Sequence, residues 1–186
     1  MEGMLQTRGE TATILRTPAI ETRLSMERIT RSRDPLARDH LWHGYVLASS
    51  SLVSGEILQI GTDYFLVQSA NSDHPSGELL YYAVKCNATV THQRYTETAD
   101  ADGNLTQSWT TLNSSVRAFA DIVTARLRAE DPGLLDSAKY VFQVQKSLGI
   151  QELDRIVYGG SNYRVESVDD VAMIGVVRLQ LAADVR

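Results

Sequence analysis

The sequence predicts an all-β chain with one or two short helices, folded as two tandem, duplicated β-barrel or sandwich modules. Three observations lead there. Short runs rich in Val, Ile, Thr and Tyr alternate with Gly-, Asp- and Asn-bearing turns about every ten residues. Several of these landmarks recur roughly a hundred residues later, which points to an internal copy. The repeat is too long for a solenoid unit, so two domains are expected from the 186 residues.

The turn Gly61-Thr62-Asp63 leading into Tyr64-Phe65-Leu66 resembles Gly160-Ser161-Asn162 leading into Tyr163-Arg164-Val165, at a spacing of 99. Glycine supplies the turn and Tyr opens a strand with alternating apolar residues. Upstream, Asp34-Pro35-Leu36 matches Asp131-Pro132-Gly133-Leu134, where Asp followed by Pro predicts a helix start. Tyr45-Val46-Leu47 matches Tyr140-Val141-Phe142. For the first strand of each copy, Thr11–Arg16 pairs with Asp121–Arg128, both rich in β-branched residues. Closing strands fall at Leu79–Val90 and Gly175–Val185, the latter alternating Val177, Leu179 and Leu181 with Arg178 and Gln180.

The expected organisation is a first module over residues 1–92, a polar linker or exposed hairpin over 93–115, and a second module over 116–186. The first module carries a long connection at about 17–33 that the second lacks. Its arginines, Arg23, Arg28, Arg31 and Arg33, stand beside Glu21 and Glu27. Loops of this length are commonly functional. The planar guanidinium fork suits either a partner subunit or DNA phosphate.

Composition bounds the function classes. The net charge of −5 argues against tight non-specific DNA binding, which needs clustered Lys and Arg to release counterions. With 7% aromatic residues there is little material for base stacking, so an OB- or SH3-like nucleic-acid module is a weaker alternative. The apolar runs are far shorter than the ~20 residues that span a bilayer, and MEGMLQTRGETATIL shows no signal-peptide core, so no membrane role is expected. Cys86 is the lone cysteine.

No catalytic pattern emerges, and the expectation is a protein that is not an enzyme and binds no cofactor or metal. His40-Leu41-Trp42-His43 reads as a helix end with two histidines on one face, short of the three or four ligands zinc needs. Asp100-Ala101-Asp102-Gly103 lacks the flanking carboxylates of a calcium loop. Adjacent Asp169 and Asp170 would face opposite sides of a strand. Ser50, Ser51 and Ser54 have no nucleophile-elbow context, and Gly159-Gly160 reads as a hairpin turn.

The stretch Gly55-Glu56-Ile57-Leu58-Gln59-Ile60-Gly61-Thr62-Asp63-Tyr64-Phe65-Leu66-Val67-Gln68-Ser69, followed by Lys85-Cys86-Asn87-Ala88-Thr89-Val90, resembles head–tail connector proteins of tailed bacteriophages. Asp154 to Val165 is similar to the closing hairpin of head-closure proteins, the stoppers and adaptors of the neck. That resemblance implies a non-catalytic virion protein at the head–tail junction, assembled in the host cytoplasm. The implied partners are its own copies in a homo-oligomeric ring, the portal or adaptor protein, tail proteins, and packaged DNA in the channel. The Arg-bearing connection is the implied channel-facing loop. Another tail component, such as a terminator, tube or baseplate protein, is the alternative.

Overall fold

The computed structural model describes residues 9–29, 40–73, 77–99 and 104–185. Among the described residues twelve strands close into two six-stranded antiparallel barrels. The first contains β1 (Glu10–Ile14), β2 (Ile20–Arg28), β3 (Leu41–Leu47), β4 (Ile57–Ile60), β5 (Asp63–Asp73) and β6 (Glu78–Lys85). The second contains β7 (Ala88–Ala99), β8 (Leu105–Ile122), β9 (Tyr140–Gln145), β10 (Arg155–Tyr158), β11 (Ser161–Asp169) and β12 (Val176–Ala183). The expected all-β fold with tandem barrels is therefore borne out. Among the described residues α1 spans Ala125–Glu130 and His40 is also helical, and no helix is long and apolar enough to cross a membrane.

Both barrels follow one topology. Around the first the order is β1-β2-β3-β6-β5-β4, and around the second β7-β8-β9-β12-β11-β10. The bulge at Val67/Ser69 of β5 recurs at Val165/Ser167 of β11, 98 residues on. The two-residue hairpin loops are Gly61-Thr62 and Gly159-Gly160, so Gly61 corresponds to Gly159 rather than Gly160. The 3-10 turns Ala48–Ser50 and Lys146–Leu148 keep the same spacing, which places Val46 against Val144 rather than Val141.

Further expectations are corrected. The stretch 17–33 is not one long connection, because Ile20–Arg28 is β2, paired with both β1 and β3. Its inward residues Thr22 and Leu24 alternate with exposed Glu21 and Arg23, and the polar content hides the strand period. Asp121–Arg128 is not the first strand of the second copy. β8 ends at Ile122 and Thr124 then caps α1, its hydroxyl accepting the Leu127 N–H at 3.2 Å. Asp131-Pro132 does not start a helix. The Asp131 N–H donates to Leu127 O at 2.8 Å, closing α1, and Arg178 beside it lowers the Asp131 carboxyl below its usual range. The matching Asp34-Pro35 lies outside the described residues. His40 is helical, as the helix-end reading expects, but Leu41, Trp42 and His43 belong to strand β3, so the two histidines do not share a helix face.

The chain divides into two compact units at Asn87/Ala88, with Gln145–Ser147 and Asp170–Val176 grouped with the first. Within the span 93–115, residues 93–99 belong to β7 and residues 105–115 to β8, both in the second unit.

Each barrel buries its own core. Ile14, Leu24, Val46, Leu58, Phe65, Val67 and Tyr81 fill the first. Val90, Phe142, Val144, Ile156, Val165, Leu179 and Leu181 fill the second. Large and small residues are exchanged between corresponding places. In the first barrel Gly44 faces Tyr81 across the β3–β6 ladder. The corresponding residues of the second are Phe142 and Leu179. A Cβ on Gly44 would meet the Ser25 carbonyl oxygen at 1.9 Å, so only glycine lets β2 approach this closely. Tyr81 reaches the same carbonyl and donates its hydroxyl at 3.1 Å. Burial, with Glu10 adding to it, pushes that hydroxyl's pKa up. Tyr81→Phe leaves the Ser25 oxygen without this donor, and is expected to cost about 0.5–1.5 kcal/mol in urea unfolding. No measurable change would show that water replaces the bond.

Candidate docking ribbon and its buried root

The first barrel joins β1 to β2 through the short segment 15–19, straight after the Ile14↔Ile20 pair. The second joins β7 to β8 differently. Their pairing continues beyond His92↔Asn113 in unbroken register from Gln93↔Thr111 to Ala99↔Leu105. Those seven residue pairs make a two-stranded ribbon roughly 20 Å long. Register shifts on both sides of His92 mark the point where ribbon departs from barrel. Such bulges bend a strand and turn its remaining residues in a new direction.

Strand alternation gives the ribbon two unlike faces. One carries Tyr95 opposite Trp109, Glu97 opposite Gln107, and Ala99 opposite Leu105. The Tyr95 and Trp109 rings meet edge to face at 5.4 Å. Glu97 accepts hydrogen bonds from the Tyr95 hydroxyl at 2.7 Å and Gln107 Nε2 at 3.1 Å. The other face is hydroxylic beyond Arg94, with Thr96, Thr98, Thr106, Ser108 and Thr110. Leu105 is 65% exposed.

Two ion pairs hold the root, one on each face. On the hydroxyl face Asp154 is the hub. Its Oδ1 accepts Arg94 Nε at 2.8 Å. Its Oδ2 accepts Arg94 Nη2 at 2.7 Å, the Gln151 N–H at 2.8 Å and His92 Nε2 at 2.8 Å. Asn113 Nδ2 donates to Leu148 O at 3.3 Å and to His92 Nδ1 at 2.9 Å. In this network the Asn113 amide faces Nδ1 and the Asp154 carboxylate faces Nε2. Burial drives the Asp154 carboxyl up, but Arg94, the Gln151 amide and His92 together outweigh it and hold it below the usual carboxylate range. On the aromatic face Arg155 lies 3.5 Å above the Trp109 ring and donates Nε to Asp184 at 2.7 Å. A guanidinium fixed by a buried carboxylate and stacked on indole gives the ribbon a firm seat.

The clasp is duplicated. The register aligns Ile14 with His92 and Arg16 with Arg94, because Leu58 and Ile156 occupy the same place in β4 and β10. Arg16 Nη2 donates to Glu56 Oε2 at 3.1 Å and to Ser50 O at 3.0 Å, and Nε lies 2.8 Å from Oε1 without a directed bond. Glu56 also accepts the Val53 N–H at 2.9 Å. Arg94 likewise donates to Gly149 O at 2.9 Å. What differs is the buried residue beneath: Ile14 in the first barrel, His92 in the second, and the second barrel bears the ribbon.

The sequence-predicted arginines are not gathered by the described structure. Arg23 is exposed on β2, where its Nη1 donates to Gly9 O at 2.9 Å. Arg28 ends β2 at the opposite strand parity. Arg31 and Arg33 lie outside the described residues. Sequence reasoning weighed His92 only as a metal ligand, at no recognisable spacing from Cys86 and His74, and singled out none of Arg94, Asn113 or Arg155. The available signal was the alternation Tyr95-Thr96-Glu97-Thr98 answered by Thr106-Gln107-Ser108-Trp109 across a Gly-bearing turn.

A solved protein from Shigella flexneri 2a, SF1141, is 14% identical, covering 54% of this chain and 95% of its own, with a TM-score of 0.45. K. pneumonia MrkH in its apo state is 8% identical over 100% of this chain and 82% of its own, at 0.24. Likenesses this faint carry nothing over to this chain. Comparison with curated proteins returns no match. A family model described as phage head completion protein matches residues 82–179, just over half of the chain. The matched span begins in β6 and runs through the ribbon and its root into β12. The chain belongs to the phage head completion protein family.

Proposed function

We propose that this protein is a non-catalytic ring subunit at the head–tail junction, docking between the portal or adaptor and the tail. Membership of the head completion family makes it a structural component of the virion, related to the head. The family match is the observation that carries the finer reading. The closed barrels support it in a second way. Their strand edges are consumed internally, so neighbours must be met through projecting elements and outer faces. A ring requires head-to-tail contacts that close by rotation. The net charge of −5 suits a conduit that does not grip passing duplex. Arg23, Arg28, Arg31 and Arg33 are the proposed contacts to a neighbouring subunit or to DNA phosphate.

The test uses the purified full chain with portal-bearing heads that lack it. Negative-stain images should show a ring added below the portal, and the heads should then accept tails. A chain that binds neither heads nor tails, and leaves the heads unable to join tails, would overturn the assignment.

A further inference from the structure

We propose that the β7–β8 ribbon is a docking arm that seats the Tyr95, Ala99 and Leu105 side of its aromatic face in a basic, partly apolar slot of a neighbouring virion protein. The proposal rests on the head-junction reading above and names the contact that reading leaves open.

The first ground is physical. A two-stranded ribbon standing alone is marginally stable in water. This one extends seven residue pairs beyond His92, and it is braced at its base on both faces: Arg94 to Asp154 on one, Arg155 to Trp109 on the other. The bracing presents the arm in one attitude, which lowers the ordering cost of association. The corresponding β1–β2 connection has no such extension and is a short turn.

The second ground is the unequal faces. Tyr95, Trp109, Ala99 and Leu105 share one side, with Leu105 65% exposed and Tyr95 36% exposed. Arg155 stacks on Trp109 toward the barrel, leaving the aliphatic end of the face, Ala99 and Leu105, furthest from it. Trp109 is spent on the brace, and Tyr95 with Leu105 is the exposed pair, an aromatic anchor beside an aliphatic one of the kind that concentrates binding energy in protein interfaces.

The third ground selects the partner. From Tyr95 to Thr110 the sequence contains Glu97, Asp100 and Asp102 and no Lys or Arg. An arm of that charge is repelled by nucleic-acid phosphate. It complements a protein slot rimmed by Lys and Arg, where opposite charge steers encounter and fixes register.

The experiment supplements heads assembled without this protein with the full-length chain, then adds tails and counts infectious particles. Wild type restores the titre. The double variant Glu97→Lys, Leu105→Asp is expected to reduce that restoration at least about tenfold. Thr98→Val, on the hydroxyl face, is expected to match wild type. Hydrogen exchange of the second-barrel core should be the same in all three proteins, which separates lost docking from lost folding. Full restoration by the double variant, with an unchanged core, overturns the arm. So does duplex DNA binding by wild type that the double variant abolishes, because the arm would then meet nucleic acid. Failure of wild type itself removes the head-junction reading and the named partner with it, an outcome distinct from selective failure of the variant.

Discussion

Asp154→Ala should destabilise the second barrel by about 2–3 kcal/mol, the upper range for leaving buried hydrogen-bonding groups without their partner, since Arg94 itself stays one-third exposed. The side chain is almost wholly enclosed and accepts four hydrogen bonds, two from Arg94 and one each from His92 and the Gln151 amide. Alanine would leave a fully buried imidazole without an acceptor and strip Arg94 of its carboxylate. Unfolding in urea, followed by hydrogen exchange of β7, β8 and β10, reads both the size and the place of the loss. A change under about 1 kcal/mol would mean that the clasp does not hold the ribbon root. The same group gives a pH signature. Its folded pKa lies below the ordinary value, so its contribution is full above the unfolded carboxylate range, near pH 4. It is lost as pH falls through the lowered folded value. Asp154→Ala should therefore flatten the acid limb of the stability curve of the second barrel.

Gly44→Ala should cost about 3 kcal/mol or more in the first barrel. The added methyl would stand 1.9 Å from a backbone oxygen, Ser25 O. A backbone atom cannot swing aside as a flexible side chain does, so β2 must separate from β3. Tyr81, which spans the glycine to donate to that same oxygen, would lose its acceptor. Thermal unfolding monitored by Trp42, which packs edge-on against Phe65 in this barrel at 5.7 Å, reports the loss. The position corresponding to Gly44 in the second barrel is Phe142, so the reverse experiment is informative. Phe142→Gly empties a core and should be at least as damaging, even though it installs the residue its counterpart requires. An unchanged Gly44→Ala would show that the close approach of β2 and β3 is not needed.

The repeat was legible because glycine turns and alternating apolar residues leave a local trace. Gly61-Thr62 before Tyr64, and Gly159-Gly160 before Tyr163, announce the same hairpin in both halves. The copy's register was not legible to the residue. Short motifs tolerate shifts of one to three positions, while paired bulges do not. β2 escaped notice because Thr22, buried on the inward face, interrupts the apolar positions Ile20, Leu24 and Met26 that would have signalled a strand. The second copy's first strand was sought at Asp121–Arg128, where Ile122, Val123 and Thr124 carry β propensity but a capped helix comes next.

The sequence by itself determined the all-β class, the duplication, the two small cores and the resemblance to head–tail proteins, since each depends on residues near one another along the chain. Only tertiary structure decided which long segment projects. A polar stretch reads alike as linker, loop or ribbon until a partner strand is paired with it. The root of the ribbon was likewise hidden: His92, Asn113, Asp154 and Asp184 are far apart in sequence, and closure of the barrel is what brings them within hydrogen-bonding reach of one another or of Arg94 and Arg155.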